Sequence, residues 1–487
     1  MKTLDLMSLE WRLLRRDRAF WLTTLAAVSI LVYGFSNGHL WMRGQTVRIT
    51  EQVLQDQQGF KELHHLAEKF KQENQVLPQG LEQREGDPRY ALGFAANHHQ
   101  YDCRRPRPLA SLAVGQSDLT SYCLPVTVWG VEGREDEGNS TGLENPLRLL
   151  LGRFDAAFAI ILLMPICILV ISYDLLSRER ELGTLPLLLS QPVTLRRLLK
   201  LRFGLRIALF IAFCLLALAL CLAYSGANFT DPRTLVEAAL WLVITATYLL
   251  FWFACAFWVN CRGGTSAEHV LQLAGLWLLL VVIMPGCLNL ALKQIYPSLS
   301  RMDYIDKVRG TSVAVEKKKS ALLGKYLGDH PDLVAGNKKV NTDDYIQSRI
   351  LIADETERTL APIKSNFRQH YAKQQAFVED FRFISPAVTY QHIANILTGQ
   401  DGPRHQRFLD AAEAHHQALR AFYFPLFNED GPNFGAYDAI PTFNFKEQTL
   451  TLMVKATSTA LLGILIPSVI CFIIGMRRLQ KPLFELG

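Results

Sequence analysis

The chain has 487 residues, 49% of them hydrophobic, with positive mean hydropathy and a formal net charge of +6. A soluble chain of this length makes about three domains, but here the apolar residues gather into runs that reach the ~20 residues needed to cross a bilayer. The basic residues cluster near the ends of those runs, which fits membrane topology better than nucleic-acid binding, and neither a zinc-finger spacing nor a basic-aromatic sheet motif is present.

In chain order, residues 1–18 are amphipathic. Leu4, Met7, Trp11 and Leu14 fall on one helical stripe with Arg12, Arg15, Arg16 and Arg18 near its end, which predicts an interfacial helix on the cytoplasmic surface or a basic flank to the first span. Residues 19–42 are the first span; without a small-residue cleavage site after it, the run reads as retained and not as a signal peptide. Residues 43–150 then form a first extracytoplasmic domain. It opens on helical spacing (Ile49, Val53, Phe60, Leu63, Leu66, Phe70) and becomes richer in strand and turn residues from Arg89 to Val131.

Residues 151–176 return to the cytoplasm as span 2. The loop 177–204 follows. From Ser177 to Arg206 it carries seven basic residues against the acidic Glu179 and Glu181, and a short basic loop between spans marks the cytoplasmic side. Gly183-Thr184 can open a short helix there, capped by Thr184, with Pro186 tolerated in its first turn. Pro192 stops that helix and Thr194 can cap the next. The result is a short greasy helix, Leu185 with Leu188 and Leu189, flanked by charge and in need of a partner surface.

Spans 3, 4 and 5 follow at 205–224, 236–259 and 267–290, joined by a Gly/Asn/Pro hairpin and a minimal inner turn. Residues 291–447 form a second extracytoplasmic domain, mainly helical. Within it Ser385-Pro386 opens a segment whose Val388, Ile393, Ile396 and Leu397 can lie on the outer membrane surface. Span 6 is 448–476, and the tail 477–487 places positive charge inside again. The expected fold is an all-α polytopic membrane protein of six spans with both termini cytoplasmic. The first insertion is expected to be α+β and the second mainly α; no internal repeat is evident.

Little in this chain points to covalent chemistry. There is no G-x-x-x-x-G-K-[ST], so any ATP is bound by another subunit; Gly336-Asn337-Lys338-Lys339 lacks the glycine spacing. Gly138-Asn139-Ser140-Thr141-Gly142 matches a nucleophile elbow but has no helix pattern directly after it. Cys103 and Cys123 are the two cysteines of the first insertion, and in an oxidising compartment such a pair reads as a disulfide worth ~3 kcal/mol; metal binding with His98 and His99 is the alternative. Ten of the twelve histidines lie in the insertions, but the adjacent pairs lack the i, i+4 spacing of a metal helix. Pro165, Pro285 and Pro467 interrupt spans 2, 5 and 6 and are possible gate points or static kinks. Asn289 and Lys455 lie near outer span ends, where Lys455 can snorkel or line an exit path.

The loop also resembles a known family. Glu179-Arg180-Glu181-Leu182-Gly183-Thr184-Leu185 followed by Leu188-Leu189-Ser190-Gln191-Pro192 is similar to the loop between the second and third spans of type 2 ABC exporter permeases. Asn145-Pro146-Leu147, Gly152-Arg153-Phe154-Asp155 and Phe383-Ile384-Ser385-Pro386 resemble a subfamily with large insertions catalogued only as a domain of unknown function. That resemblance implies a permease of the bacterial cytoplasmic membrane that binds no cofactor itself. ATP and Mg would sit in an ATPase subunit dimer docked on Glu179, Glu181, Gly183, Thr184, Leu185, Leu188, Leu189, Ser190 and Pro192. It also implies a second permease copy or related chain and export of a hydrophobic or amphipathic substrate. The size of the insertions supports a second reading, in which the spans transmit force to an extracytoplasmic partner without passing a substrate.

Overall fold

A computed structural model describes residues 3–73, 84–98, 100–115, 120–130, 153–185, 187, 190, 194–297, 301–317, 342–427 and 434–479. The Gly138–Gly142 and Gly336–Lys339 stretches, and Asn145–Leu147, lie outside them.

The described chain is almost entirely helical. α1 (Thr3–Arg16) and α2 (Arg18–Gln72) are followed by α3 (Ala91–Asn97), the strands β1 (Gln100–Cys103) and β2 (Cys123–Val126), and α4 (Ala156–Glu181). Then come α5 (Leu195–Tyr224), α6 (Pro232–Asn260), α7 (Ser266–Ile295), α8 (Arg301–Lys317) and α9 (Thr342–Phe381). α10 (Pro386–Thr398), α11 (Gly402–Phe427) and α12 (Leu450–Arg478) complete it. Six helices, α2, α4, α5, α6, α7 and α12, are long and apolar enough to cross a membrane.

These six pack around α6, the most deeply buried, which touches α12, α4, α5 and α7. α2 closes the bundle against α4 and α5. α7 is the least buried of the six, and its Leu278, Leu279, Val282, Ile283 and Leu290 face outward, as a lipid-facing helix should. The end holding α1 and the 177–194 loop is called the basic end below, and the opposite end the insertion end.

One boundary differs from expectation. α2 does not stop at the first apolar run: its 55 residues form one helix, about 80 Å long, so the helical spacing from Ile49 to Phe70 is its continuation. Where α2 passes the start of α4, a Cβ on Gly38 would lie 2.2 Å from the Ser111 carbonyl oxygen; only glycine admits that approach. α5 begins at Leu195, directly after Thr194 as expected, and runs unbroken to Tyr224. α1 is helical as expected, but the face it buries is Leu6, Glu10 and Leu14, while Met7 and Trp11 stay exposed.

The two insertions share one core. Phe94 of α3, Val126 of β2, and Leu419 and Tyr423 of α11 pack with Phe434 and Ile440, and half-buried Phe60 and Leu63 of α2 complete the cluster. β1 and β2 pair antiparallel with Cys103 opposite Cys123, and these two form the disulfide. Beside it His415 Nδ1 lies 2.8 Å from Asp102 Oδ1 and its Nε2 3.1 Å from the Pro441 carbonyl. Burial pushes the Asp102 carboxyl up; burial opposes protonation of His415 too, but Asp102 outweighs it and raises the imidazole.

α10 corrects the largest expectation about the second insertion. Its buried stripe meets not an outer surface but the interior of the bundle, between α6 and α12. Ala387, Tyr390, Ile393, Ala394 and Leu397 form its buried stripe. The Tyr390 hydroxyl meets the Thr245 hydroxyl at 2.9 Å, and its ring centroid lies 5.0 Å from that of Tyr248. Thr245 is about 20 Å along α6 from its first residue, so α10 reaches well inside. Small Ala387 and Ala394 permit the approach, and the buried hydroxyls satisfy each other.

Candidate functional site: the basic loop and its anchors

The chain leaves α4 through the helical turn Ser177–Glu181. Gly183, at φ +67°, ends it. The Gly183 N–H donates to Arg180 O and the Thr184 N–H to Glu179 O, each at 3.0 Å, the paired bonds by which a left-handed glycine closes a helix. Gly183 therefore terminates the preceding turn and does not open the next one. Thr184 spans the junction: it precedes helical Leu185 and Leu187, and its hydroxyl donates to the Glu179 carboxylate. Thr194 stands at the N-cap of α5 in extended backbone but makes no side-chain cap bond. Of the residues expected to meet a partner, Leu188, Leu189 and Pro192 lie outside the described residues, as do Pro186 and Gln191. Ser190 is exposed and donates to Leu187 O at 2.7 Å.

Leu185 is turned inward, 7% exposed, in a cluster with Leu176, Leu199, Phe203 and Phe257. Among the described residues of the loop, the exposed leucines are Leu182 at 65% and Leu187 at 74%. They flank the Gly183 reversal, where the chain changes direction, and Leu182 also lines the cleft between α1, α4 and α5. The sequence reading, which opened a helix at Gly183-Thr184, could not assign these faces.

Glu179 and Glu181 bind the chain's own helices. Arg202 of α5 donates through Nη1 to Glu179 at 3.3 Å and to the Leu175 carbonyl at 3.0 Å, and through Nη2 to Glu10 of α1 at 3.1 Å. Four residues on, Arg206 reaches Asp17 and the Ile171 carbonyl, each at 2.9 Å. Glu181 accepts from the Ser266 backbone N–H at 2.6 Å and from its hydroxyl at 3.0 Å. An acidic group at the first turn of α7 complements the helix dipole. Ser177 Oγ lies 2.8 Å from Ser266 Oγ. His269, buried in the next turn, sits with Nδ1 3.0 Å from Tyr173 O and Nε2 2.9 Å from Gly263 O. The turn is thus fastened to α1, α5 and α7 at once. Between α1, the end of α4 and the start of α5 lies a polar cleft of about 680 Å³ lined by Glu10, Asp174, Arg178 and Arg202 among others.

Pro165 and Pro285 mark two matched irregularities. Each follows a π-helical stretch, Ala159–Leu163 in α4 and Leu278–Ile283 in α7. The carbonyls released there find side-chain partners: Ile161 O accepts from Tyr248 OH at 2.9 Å, Leu162 O from Trp277 Nε1 at 3.1 Å, and Leu280 O from Ser385 Oγ at 2.5 Å. Wide turns of this kind cluster at functional sites. Both prolines stand in the same local sequence, Met164-Pro165-Ile166-Cys167 and Met284-Pro285-Gly286-Cys287; this short internal repeat is the signal that sequence reading missed. Pro467 lies inside α12, which continues through it. Lys455 and Asn289 are exposed.

At the insertion end a buried polar knot joins the insertions to the bundle. Glu447, just before α12, accepts from Arg107 Nη2 at 2.7 Å and from Arg404 of α11. Arg107 also donates to Ile396 O of α10 at 3.2 Å and lies 3.8 Å from Glu237 of α6. Burial alone would raise the Glu447 carboxyl, but Arg404 and Arg107 prevail and hold it down at about 2. Sequence reading missed this knot, because its members are scattered from 107 to 447. Among the described residues no cluster of three or more metal-ligating side chains is present.

No curated protein matches the chain. The family described as Domain of unknown function (DUF3526) matches residues 301–446, which hold α8 to α11, the buried α10 among them.

Proposed function

We propose that this chain is the permease subunit of an ATP-driven ABC exporter of the bacterial cytoplasmic membrane. The basic end faces the cytoplasm, with both termini there, and residues 43–150 and 291–447 are extracytoplasmic, the first insertion α+β and the second mainly α. The observation that carries the reading is the fastening of the Ser177–Glu181 turn to α1, α5 and α7 beneath two exposed leucines, Leu182 and Leu187. A partner pressing on that turn moves three helices together, through the buried Arg202–Glu10 pair on one side and the exposed Glu181–Ser266 hydrogen bonds on the other. An ABC ATPase dimer, binding ATP and Mg, is the partner; a second permease copy or a related chain completes the assembly. The chain itself performs no covalent step. Affinity purification of the tagged chain from its native membranes, with mass spectrometry, tests this: an ABC ATPase should be recovered.

One observation favours a second reading, transmission of force to an extracytoplasmic partner. α10 lies between α6 and α12, and Arg107 and Glu447 bolt the insertions to the same helices. Motion of the bundle therefore reaches the insertions directly. Reconstituted protein that hydrolyses ATP with its ATPase, moves no amphiphile and changes protease sensitivity in residues 301–446 would favour this reading over export.

A further inference from the structure

A second cleft, of about 480 Å³, lies between α4, α7, α9 and α10, a volume in the small-molecule range. Its two walls differ in chemistry. Ile161, Val281, Pro285 and Leu292 of the bundle supply an apolar floor, while α9 and α10 supply a mixed roof in which Tyr371, Gln375, Gln391, His392 and Asn395 stand among apolar Val378, Val388 and Ile396.

The roof offers hydrogen bonds but little charge. Gln391 Nε2 donates to Asn395 Oδ1 at 2.8 Å, and Gln375 Nε2 donates to the Tyr371 hydroxyl at 3.0 Å. These bonds leave the Asn395 amide hydrogens and the Tyr371 hydroxyl hydrogen without a protein acceptor among the described residues. Burial, then the neighbouring Arg382, depresses His392 to about 4, so the imidazole is neutral. Asp401, at the rim, is occupied in capping α11 through the Arg404 N–H at 3.0 Å. Glu379, the remaining carboxylate, is exposed. One wall is α7, the least buried of the six apolar helices.

We infer that this cleft binds a membrane-borne amphiphile with an uncharged hydroxyl- or amide-bearing head and an alkyl chain. The head lies against Asn395 and Tyr371 and the chain against Val281 and Pro285. An apolar floor excludes a polar solute, and no cation lines the roof to pair with an anionic head: Arg382 stands behind His392, 3.2 Å from its Nε2, outside the lining. Because Ile161 and Val281 belong to the two π-helical stretches, an occupant touches both irregular segments at once. The inference rests on the export reading above for the meaning of the ligand, but its binding test needs neither ATP nor an ATPase.

The test uses the full chain in phosphatidylcholine nanodiscs with a monoacylglycerol carrying a photoreactive diazirine in its acyl chain. Mass spectrometry of the labelled peptides should place the adducts around Ile161 and from Val281 to Leu292. A tenfold excess of 1-oleoylglycerol should cut that labelling at least fivefold, and the same excess of oleate should not. Val281→Trp, which fills the floor, and Gln391→Glu, which puts charge in the roof, should each lower it severalfold while labelling at the lipid-facing Leu271 stays unchanged. Equal labelling at Leu271 and Val281, undiminished by competitor or by Val281→Trp, would mean boundary lipid only and overturn the inference. Equal competition by oleate would overturn the uncharged-head assignment. ATP-driven release of the bound probe distinguishes cargo from a resident lipid. Binding without such release would count against export and leave the site standing.

Discussion

Arg202 holds Glu10 across 192 residues of sequence, with Nη2 3.1 Å from Oε1 and both side chains less than a tenth exposed. The same guanidinium reaches Glu179, so one cation serves α1 and the turn after α4. Breaking a buried pair on one side strands its partner and typically costs 3–5 kcal/mol, about 3–5 being the range for such losses. Arg202→Met should therefore lower the melting temperature in detergent sharply, and adding Glu10→Gln should recover part of the loss. If the double variant is no more stable than the single one, the pair is not what joins α1 to the loop.

Tyr390 and Thr245 make the corresponding link deep in the bundle. Tyr390→Phe removes one buried hydrogen bond, for a loss of about 0.5–1.5 kcal/mol. Tyr390→Ala also empties a fully buried ring position and should cost about 3–5 kcal/mol. Hydrogen exchange should show residues 386–398 opening faster in both variants, in that order. Equal protection of α10 in wild type and Tyr390→Ala would contradict its burial between α6 and α12.

The knot at Glu447 carries a pH dependence. Its carboxyl is held at about 2 in the fold, below the ordinary 4.5. A depressed acid stabilises the folded state above its unfolded value and loses that contribution as pH falls toward the folded one. The difference in melting temperature between wild type and Glu447→Gln should be constant above pH 5 and shrink steadily from there toward pH 2. A gap that widens on acidification would reverse the assignment.

Six apolar runs and a cysteine pair were legible because each is a local signal: a run of ~20 apolar residues has few alternatives, and two cysteines in one insertion restrict the pairing. What was illegible depended on distant partners. The basic residues from Arg196 to Arg206 read as a marker of the cytoplasmic side, yet Arg202 and Arg206 are paired with Glu10 and Asp17, which no window of sequence places beside them. Leu185 looked exposed because Gly183 was taken to start a helix; as the left-handed end of one, it turns Leu185 inward. α10 carries an ordinary amphipathic stripe. Such a stripe predicts an apolar neighbour without saying whether that neighbour is lipid or the interior of a bundle.

Under the proposed function, the turn around Gly183 receives an ATPase and passes its motion to α1, α5 and α7. Leu187→Asp tests it most directly, since Leu187 is 74% exposed and the substitution leaves the fold's own contacts in place. The measurement is recovery of the ABC ATPase with the tagged chain from native membranes, beside ATP turnover of the reconstituted complex. A carboxylate forced into an apolar interface disrupts docking, so the account predicts normal membrane insertion and melting temperature, at least tenfold less ATPase recovered and no permease-dependent turnover. Recovery and turnover equal to wild type would contradict it.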